Sequence, residues 1–222
     1  MELVQSKSGR ELIIFGSGSK SPERDIFLKV LLEGEPEIES HSLQSFYNML
    51  RGLKLMEGIE LNIEAVALAK NDLLLLNRDE NLIFRYSYVE FLNFQKNKEN
   101  MPVPEIISVD LPEISGIEAG FSGATYLTES QVPIITASVE DTPNAYDDGQ
   151  VLGSFIMVIP LSELGNAGAN KFVLLSEGNV PVSTKVEPVA VSHIVSEKEV
   201  ELFLVTDSDG GVSNLLRGRL KW

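Results

Sequence analysis

The sequence predicts an all-β fold of the propeller class, with about four blade-like units and one inserted helix, and three observations carry that reading. Short apolar runs recur along most of the chain, each bounded by Gly, Pro, Asn, Asp or Ser, which is the pattern of strands separated by turns. Three segments align without gaps: Asn62-Ile63-Glu64-Ala65-Val66-Ala67, Gly116-Ile117-Glu118-Ala119-Gly120-Phe121 and Lys185-Val186-Glu187-Pro188-Val189-Ala190. After each Glu the same order follows: apolar strand, loop, apolar strand, polar loop, apolar strand. A repeat of about 40–50 residues with four strands is the signature of a propeller blade.

Taken in order, residues 10–16 and 25–32 read as two strands joined by a Gly/Ser/Pro loop (17–24). Residues 42–53 change period. Leu43, Phe46, Tyr47, Leu50 and Leu53 fall three and four apart and share one helix face, with Ser42 as the expected N-cap. Residues 62–69, 72–77 and 81–93 then read as strands, the last from the alternation of Ile83, Arg85, Ser87 and Val89 against Phe84, Tyr86, Tyr88 and Glu90. A polar loop (94–104) leads to a short strand at 105–109. Strands near 117–127, 132–139, 150–159 and 171–175 make the next unit, and 185–195, 199–205 and 213–221 the last. The blades are thus expected at 62–109, 116–175 and 185–221. Residues 10–32 supply the middle of an earlier blade that lacks its innermost strand, and residues 2–6 are expected to complete the last blade from outside. The whole chain, 1–222, reads as one propeller domain, complete or truncated, and bare edges on a partial ring predict a homodimer.

Composition narrows the function. The chain has no Cys, which excludes disulfides, thiolate metal sites and a Cys nucleophile. Its two His, His41 and His193, cannot build a multi-His zinc site within one chain. The net charge of −15 argues against nucleic acid, which rewards basic patches; the nearest approach to one is Arg217, Arg219 and Lys221. No apolar run is long enough for a membrane helix, and the N-terminus lacks the apolar segment of a signal peptide. A cytoplasmic location is the expectation.

The segments GSGSKSPERD (16–25), LNIEAVAL (61–68), LLLLNRDEN (73–81), FSGATYL (121–127) and ASVEDTPNAYDDGQVLGSFIMVI (137–159) together resemble a bacterial propeller family known only as a domain of unknown function. That family is similar in outline to the esterase-like phytase and SdiA-regulated propellers, in which a motif of an acidic residue, Glu and Gly opens a blade. The match covers most of residues 9–222. The resemblance implies a propeller and an additional N-terminal segment with a first blade in other members. Ala65 and Ala119 stand where the pattern has Gly, and blade four has Pro188 there.

First strands line the channel of a propeller, so Glu64, Glu118 and Glu187 are expected in equivalent places around one axis. Converging carboxylates raise one another's pKa unless a cation joins them. Calcium, an oxygen-ligand cation, is one candidate. Arg24 and Arg78, in equivalent inter-strand loops, are the alternative partners, and bonding of each Glu to backbone amides is the structural alternative. The loop 140–149 offers Glu140, Asp141, Asp147 and Asp148 as further oxygen donors, without the spacing of an EF-hand. His193 lies six residues after Glu187, which strict alternation would place on the same face as a candidate base; a core histidine is the plainer reading. Ser122 has no Gly-x-Ser-x-Gly elbow, which sets a serine hydrolase aside. Two functions remain. The first is a ligand- or partner-binding scaffold working through its channel face, with or without structural calcium. The alternative is a phytase-like or lactonase-like hydrolase whose divalent ion is held by Glu64, Glu118, Glu187 and Asp141.

Overall fold

The structure is a computed structural model that describes residues 1–6, 9–141, 149–166, 171–207 and 211–222. The fold class is the expected one: the protein is mostly β, with four blade-type sheets in sequence order. The chain divides into two compact units, Met1–Ile106 and Ile107–Trp222.

Unit 1 holds two four-stranded antiparallel blades. Blade one is β1 (Glu2–Ser6), β2 (Gly9–Phe15), β3 (Ile26–Leu31) and β4 (Glu37–Ser42), paired in that order. Helix α1 (Gln44–Arg51) follows. Blade two is β5 (Ile63–Ala69), β6 (Asp72–Asn77), β7 (Leu82–Ser87) and, after helix α2 (Tyr88–Asn97), β8 (Glu105–Ser108). Two expectations are corrected here. Residues 2–6 pair with β2, Leu3 opposite Leu12 and Val4 opposite Glu11, so they are the innermost strand of blade one and do not complete the last blade. The run 81–93 is a strand only as far as Ser87. There the Ser87 hydroxyl accepts the N–H of Glu90 at 3.4 Å and caps α2. Phe91, Phe94 and Gln95 then fall on the buried side of the helix.

Both helices feed one aromatic core. Phe15, Phe27, Phe46, Phe84 and Phe91 are buried together with Tyr47 and Tyr86. Phe91 lies with its ring centroid 5.3 Å from Phe15, 5.2 Å from Phe27 and 5.2 Å from Phe46, separations typical of edge and tilted ring packing. Helix α1 is also fastened by charge. Arg51 donates to both carboxylate oxygens of buried Asp25, at 2.7 and 3.1 Å, and to the Gly18 carbonyl at 2.8 Å. The Tyr47 hydroxyl donates to the Gly16 carbonyl at 2.7 Å, and burial, reinforced by nearby Asp25, pushes that phenol well above the usual tyrosine range.

Unit 2 opens with a short hairpin, β9 (Glu113–Ile114) and β10 (Ile117–Glu118). Blade three is β11 (Gly120–Leu127), β12 (Val132–Asp141), β13 (Gln150–Val158) and β14 (Phe172–Leu174). A second hairpin, β15 (Ser176–Glu177) and β16 (Val180–Pro181), leads to blade four: β17 (Lys185–Ser196), β18 (Glu199–Asp207) and β19 (Leu215–Lys221). Blade four has three strands, and among the described residues none pairs with the outer edge of β19. The core of this unit is aliphatic, with Leu127, Ile134, Ile156, Val186, Val189, Val200, Leu202 and Leu204 buried.

Candidate functional site

The first strand of blade four carries a β-bulge. Val186 pairs with Thr206 and Val189 with Leu204, leaving Glu187 and Pro188 out of register. A bulge bends the strand and frees backbone groups from the ladder. Blade three receives them with hydroxyls. Ser122 Oγ donates to the Val186 carbonyl at 2.6 Å, and Thr136 Oγ1 to the Glu187 carbonyl at 3.0 Å. Ser154 Oγ donates to the Thr184 carbonyl at 2.9 Å and accepts the Val186 N–H at 3.1 Å. Ser138 Oγ lies 2.9 Å from Ser154 Oγ. All four hydroxyl residues are buried, as is Val186, so the ladder satisfies Val186 backbone groups that water does not reach. Gly123 admits the close approach: a Cβ there would collide with the Glu187 carbonyl.

Beside this junction lies the charged group of the site. Lys185 opens β17, and its Nζ is 2.8 Å from Glu187 Oε1 and 3.4 Å from Glu140 Oε1. The Lys185 and Glu140 side chains are each 12% exposed and that of Glu187 26%. Glu140 stands at a second bulge, where Val139 pairs with Gly153 and Glu140 with Val151. Two carboxylates therefore share one ammonium in a largely desolvated place, where charge pairing is needed to offset the loss of hydration. Sequence reasoning overlooked Lys185. The signal was its position two residues before Glu187 at the start of a strand, where period-two alternation brings both side chains to one face.

The other expected residues lie as follows. Glu64 is partly buried on β5 in unit 1, and its Oε1 accepts the Asn62 amide at 2.8 Å. It too sits at a bulge, between Ile63 and Ala65. Glu118 is exposed in the β9–β10 hairpin, outside the blade strands. The bulge in the first strand of blade three falls between Phe121 and Gly123, so Ser122 stands where Glu64 and Glu187 stand in their blades. The gapless alignment of the three Glu is thus corrected by four residues at blade three. Arg24 is exposed and donates to Ser19 Oγ at 2.9 Å. Arg78 is partly buried, and its backbone N–H donates to the Asn62 carbonyl at 2.9 Å. Asp141 is exposed at the end of β12, and Asp147 and Asp148 lie outside the described residues. Among the described residues, no three His, Asp or Glu are grouped to hold a metal ion.

His193 is exposed, not a core histidine. β17 is irregular between Val186 and Val189 and again between Val191 and His193, so a six-residue spacing does not fix its face relative to Glu187. His193 lines a shallow cleft of about 520 Å³ with Glu201, Phe203, Arg217 and Arg219.

The model of a family of unknown function, DUF6929, matches residues 1–220. The chain belongs to that family. Its strand layout and the bulged first strands of blades two, three and four are therefore features of a DUF6929 member. Among solved structures it is similar to the GH43 endo-arabinanase from Bacillus licheniformis, at 12% identity over 96% of this chain and 74% of that one, with a TM-score of 0.37. That likeness carries no argument about this site. No curated protein matches the chain significantly. Among the described residues, no helix is long and apolar enough to cross a membrane.

Proposed function

We propose that this DUF6929 member is a binding scaffold that recognises a ligand or partner through the loop ends of its inner strands. The observation that carries the reading is Lys185. Its ammonium stands between Glu140 and Glu187, and Glu187 is one of the carboxylates to which the hydrolase reading assigns a divalent ion. A lysine supplies the charge compensation two carboxylates require without supplying a Lewis acid or a metal-activated water. Ser122, which has no nucleophile elbow around it, donates to the Val186 carbonyl. The carboxylates of the group suit a ligand bearing an ammonium or several hydroxyls, which donate hydrogen bonds to carboxylates.

Calcium titration with melting temperature and calorimetry, on wild type and Lys185→Gln, tests the reading. The expected result is no calcium effect on wild type, a lower melting temperature for Lys185→Gln, and partial recovery of that variant on adding calcium, by mass action on the freed carboxylates. A panel of amines and sugars should raise the melting temperature of wild type and leave Glu187→Gln less responsive. Calcium stabilisation of wild type, together with metal-dependent turnover of a phosphate ester or lactone, would overturn the proposal in favour of the hydrolase. Failure of every amine and sugar to shift wild type would count against the ligand chemistry.

A further inference from the structure

Blades one, two and three each close on a fourth strand, β4, β8 and β14, whereas blade four stops at β19. The hydrogen bonds that flank β19 show which of its backbone groups are left over. The Thr206 N–H donates to the Asn214 carbonyl at 2.9 Å and the Trp222 N–H to the Lys198 carbonyl at 3.0 Å. The β18–β19 register runs between them without a shift. Bonded and non-bonded pairs alternate in an antiparallel ladder, so Leu216, Gly218 and Leu220 turn their backbone groups to β18. Leu215, Arg217, Arg219 and Lys221 turn theirs outward, where none of the described strands takes them.

The two faces of this edge differ. Arg217, Arg219 and Lys221 are exposed on the open face, beside the 61%-exposed Leu215. Leu216 and Leu220 pack on the core of unit 2. Gly218 leaves a gap between them, since a Cβ there would meet only Leu204 and Leu202, at ordinary contact distance. A shallow cleft of about 630 Å³, lined by Val180, Pro181, Val182 and Leu216, adjoins the start of β19. The inner neighbour shows what the cations accept from a strand: on β18, Glu199 stands opposite Lys221 and Glu201 opposite Arg219, and Glu199 reaches Arg219 at 2.9 Å. On the outer side of the same cationic row, no described strand answers it.

We propose that the outer edge of β19 is a strand-addition site for an extended segment of a partner protein in which acidic and apolar residues alternate. Added antiparallel, its acidic residues stand opposite Arg217, Arg219 and Lys221, exchange backbone bonds with them and share their face. Opposite charges in directly facing pairs are favourable. The residues between them face Leu216, Gly218 and Leu220, with the bulkiest filling the gap at Gly218. A second copy of this chain does not supply such a strand through β19 or β4. β19 against β19 opposes cation to cation. On β4 the Leu43 N–H donates to the Asp25 carbonyl, so the same alternation along β3 turns the backbone groups of Ile38 and Ser40 outward. A β4 added to β19 would set those two, not Glu37 or Glu39, opposite the cations. The site uses different residues from the Lys185 group and stands or falls separately from it.

Fluorescence anisotropy with the capped, dye-labelled peptide Glu-Val-Glu-Phe-Glu-Val, which sets Phe opposite Gly218, tests the site. Saturable binding is expected in spite of the net charge of −15, about tenfold or more tighter than that of a peptide of the same composition with its glutamates consecutive. N-methylation of the glutamates removes the donors aimed at β19 and should abolish binding. N-methylation of the valines, whose N–H groups point away from β19, should leave it. Arg217→Pro removes one outward N–H without breaking the ladder with β18, and should weaken binding by about tenfold or more. If that variant proves unfolded by circular dichroism, the methylated peptides decide. Equal binding of the consecutive-glutamate peptide, indifference to glutamate methylation, or no binding at all overturns the proposal.

Discussion

In unit 1 the blades and helices meet through rings; in unit 2 the blades meet through hydroxyls beside an aliphatic core. Phe15, Phe27, Phe46 and Phe91 fill the first junction, whereas Ser122, Thr136, Ser138 and Ser154 face the bulged backbone of β17 in the second. The difference follows from what each blade presents. A regular strand such as β3 spends its backbone groups on the ladder and offers side-chain surface, and a buried aromatic returns roughly 1.5–3 kcal/mol for that surface. A bulged strand presents unpaired carbonyls, and a side-chain hydroxyl returns only about 0.5–1.5 kcal/mol net, while an absent one exposes the larger cost of an unsatisfied group. The first junction tolerates loss of fit gradually. The second depends on its nearest donors, Ser122, Thr136 and Ser154, being in place.

The largest expected effect lies in unit 1, where one charge fastens the helix. Arg51→Ala leaves the Asp25 carboxylate, 3% exposed and with its bidentate partner gone, held by Ser21 Oγ at 2.7 Å. Breaking a buried pair from one side costs about 3–5 kcal/mol. Urea unfolding should show that loss, and hydrogen exchange should place it in α1, β2 and β3. A loss confined to a few tenths of a kcal/mol would mean that the rings alone hold α1. Next comes Gly123→Ala in unit 2. The added methyl meets the Glu187 carbonyl, a backbone atom that cannot rotate away, and overpacking of this kind costs about 1–3 kcal/mol. Melting of this variant without destabilisation would show that β17 shifts freely on blade three, contrary to a donor-by-donor junction.

The strand layout was legible because turn chemistry and apolar runs are local. Blade two, blade three, blade four and helix α1 all fall where the pattern places them, α1 two residues shorter at each end. What was misread depended on pairing. Residues 2–6 carry a strand's alternation but no sign of which edge they join, and the ladder with β2 decides it. Helix α2 was hidden because Ile83 to Ser87 alternate as a strand and the next residues can be read on in the same period; the Ser87-x-x-Glu90 cap was the local clue. At the site, Glu118 drew attention by its neighbours, yet equivalence between blades is set by the bulge, which puts Ser122 at that place. A bulge is a property of two strands together, and one strand's sequence records only half of it.

The smallest effects separate the members of the hydroxyl ladder. Ser154 serves both sides of the β17 backbone, donating to the Thr184 carbonyl and accepting from the Val186 N–H. Ser154→Ala leaves the buried Val186 N–H and the part-buried Thr184 carbonyl without that partner, for an expected cost of about 1–3 kcal/mol. Ser138 sits one step back. It lies 2.9 Å from Ser154 Oγ and a longer 3.4 Å from the Val186 carbonyl, which Ser122 already serves at 2.6 Å. Ser138→Ala therefore removes a redundant donor, for an expected cost of about 0.5–1 kcal/mol. The ratio matters more than either value. If thermal unfolding finds the two variants equal, and the double variant no worse than one alone, the hydroxyls act as one polarised chain whose strength is lost at any break. If Ser154→Ala costs clearly more, the ladder is a set of separate backbone bonds, and unit 2 owes its blade junction to the bulge and the three residues that answer it most directly, Ser122, Thr136 and Ser154.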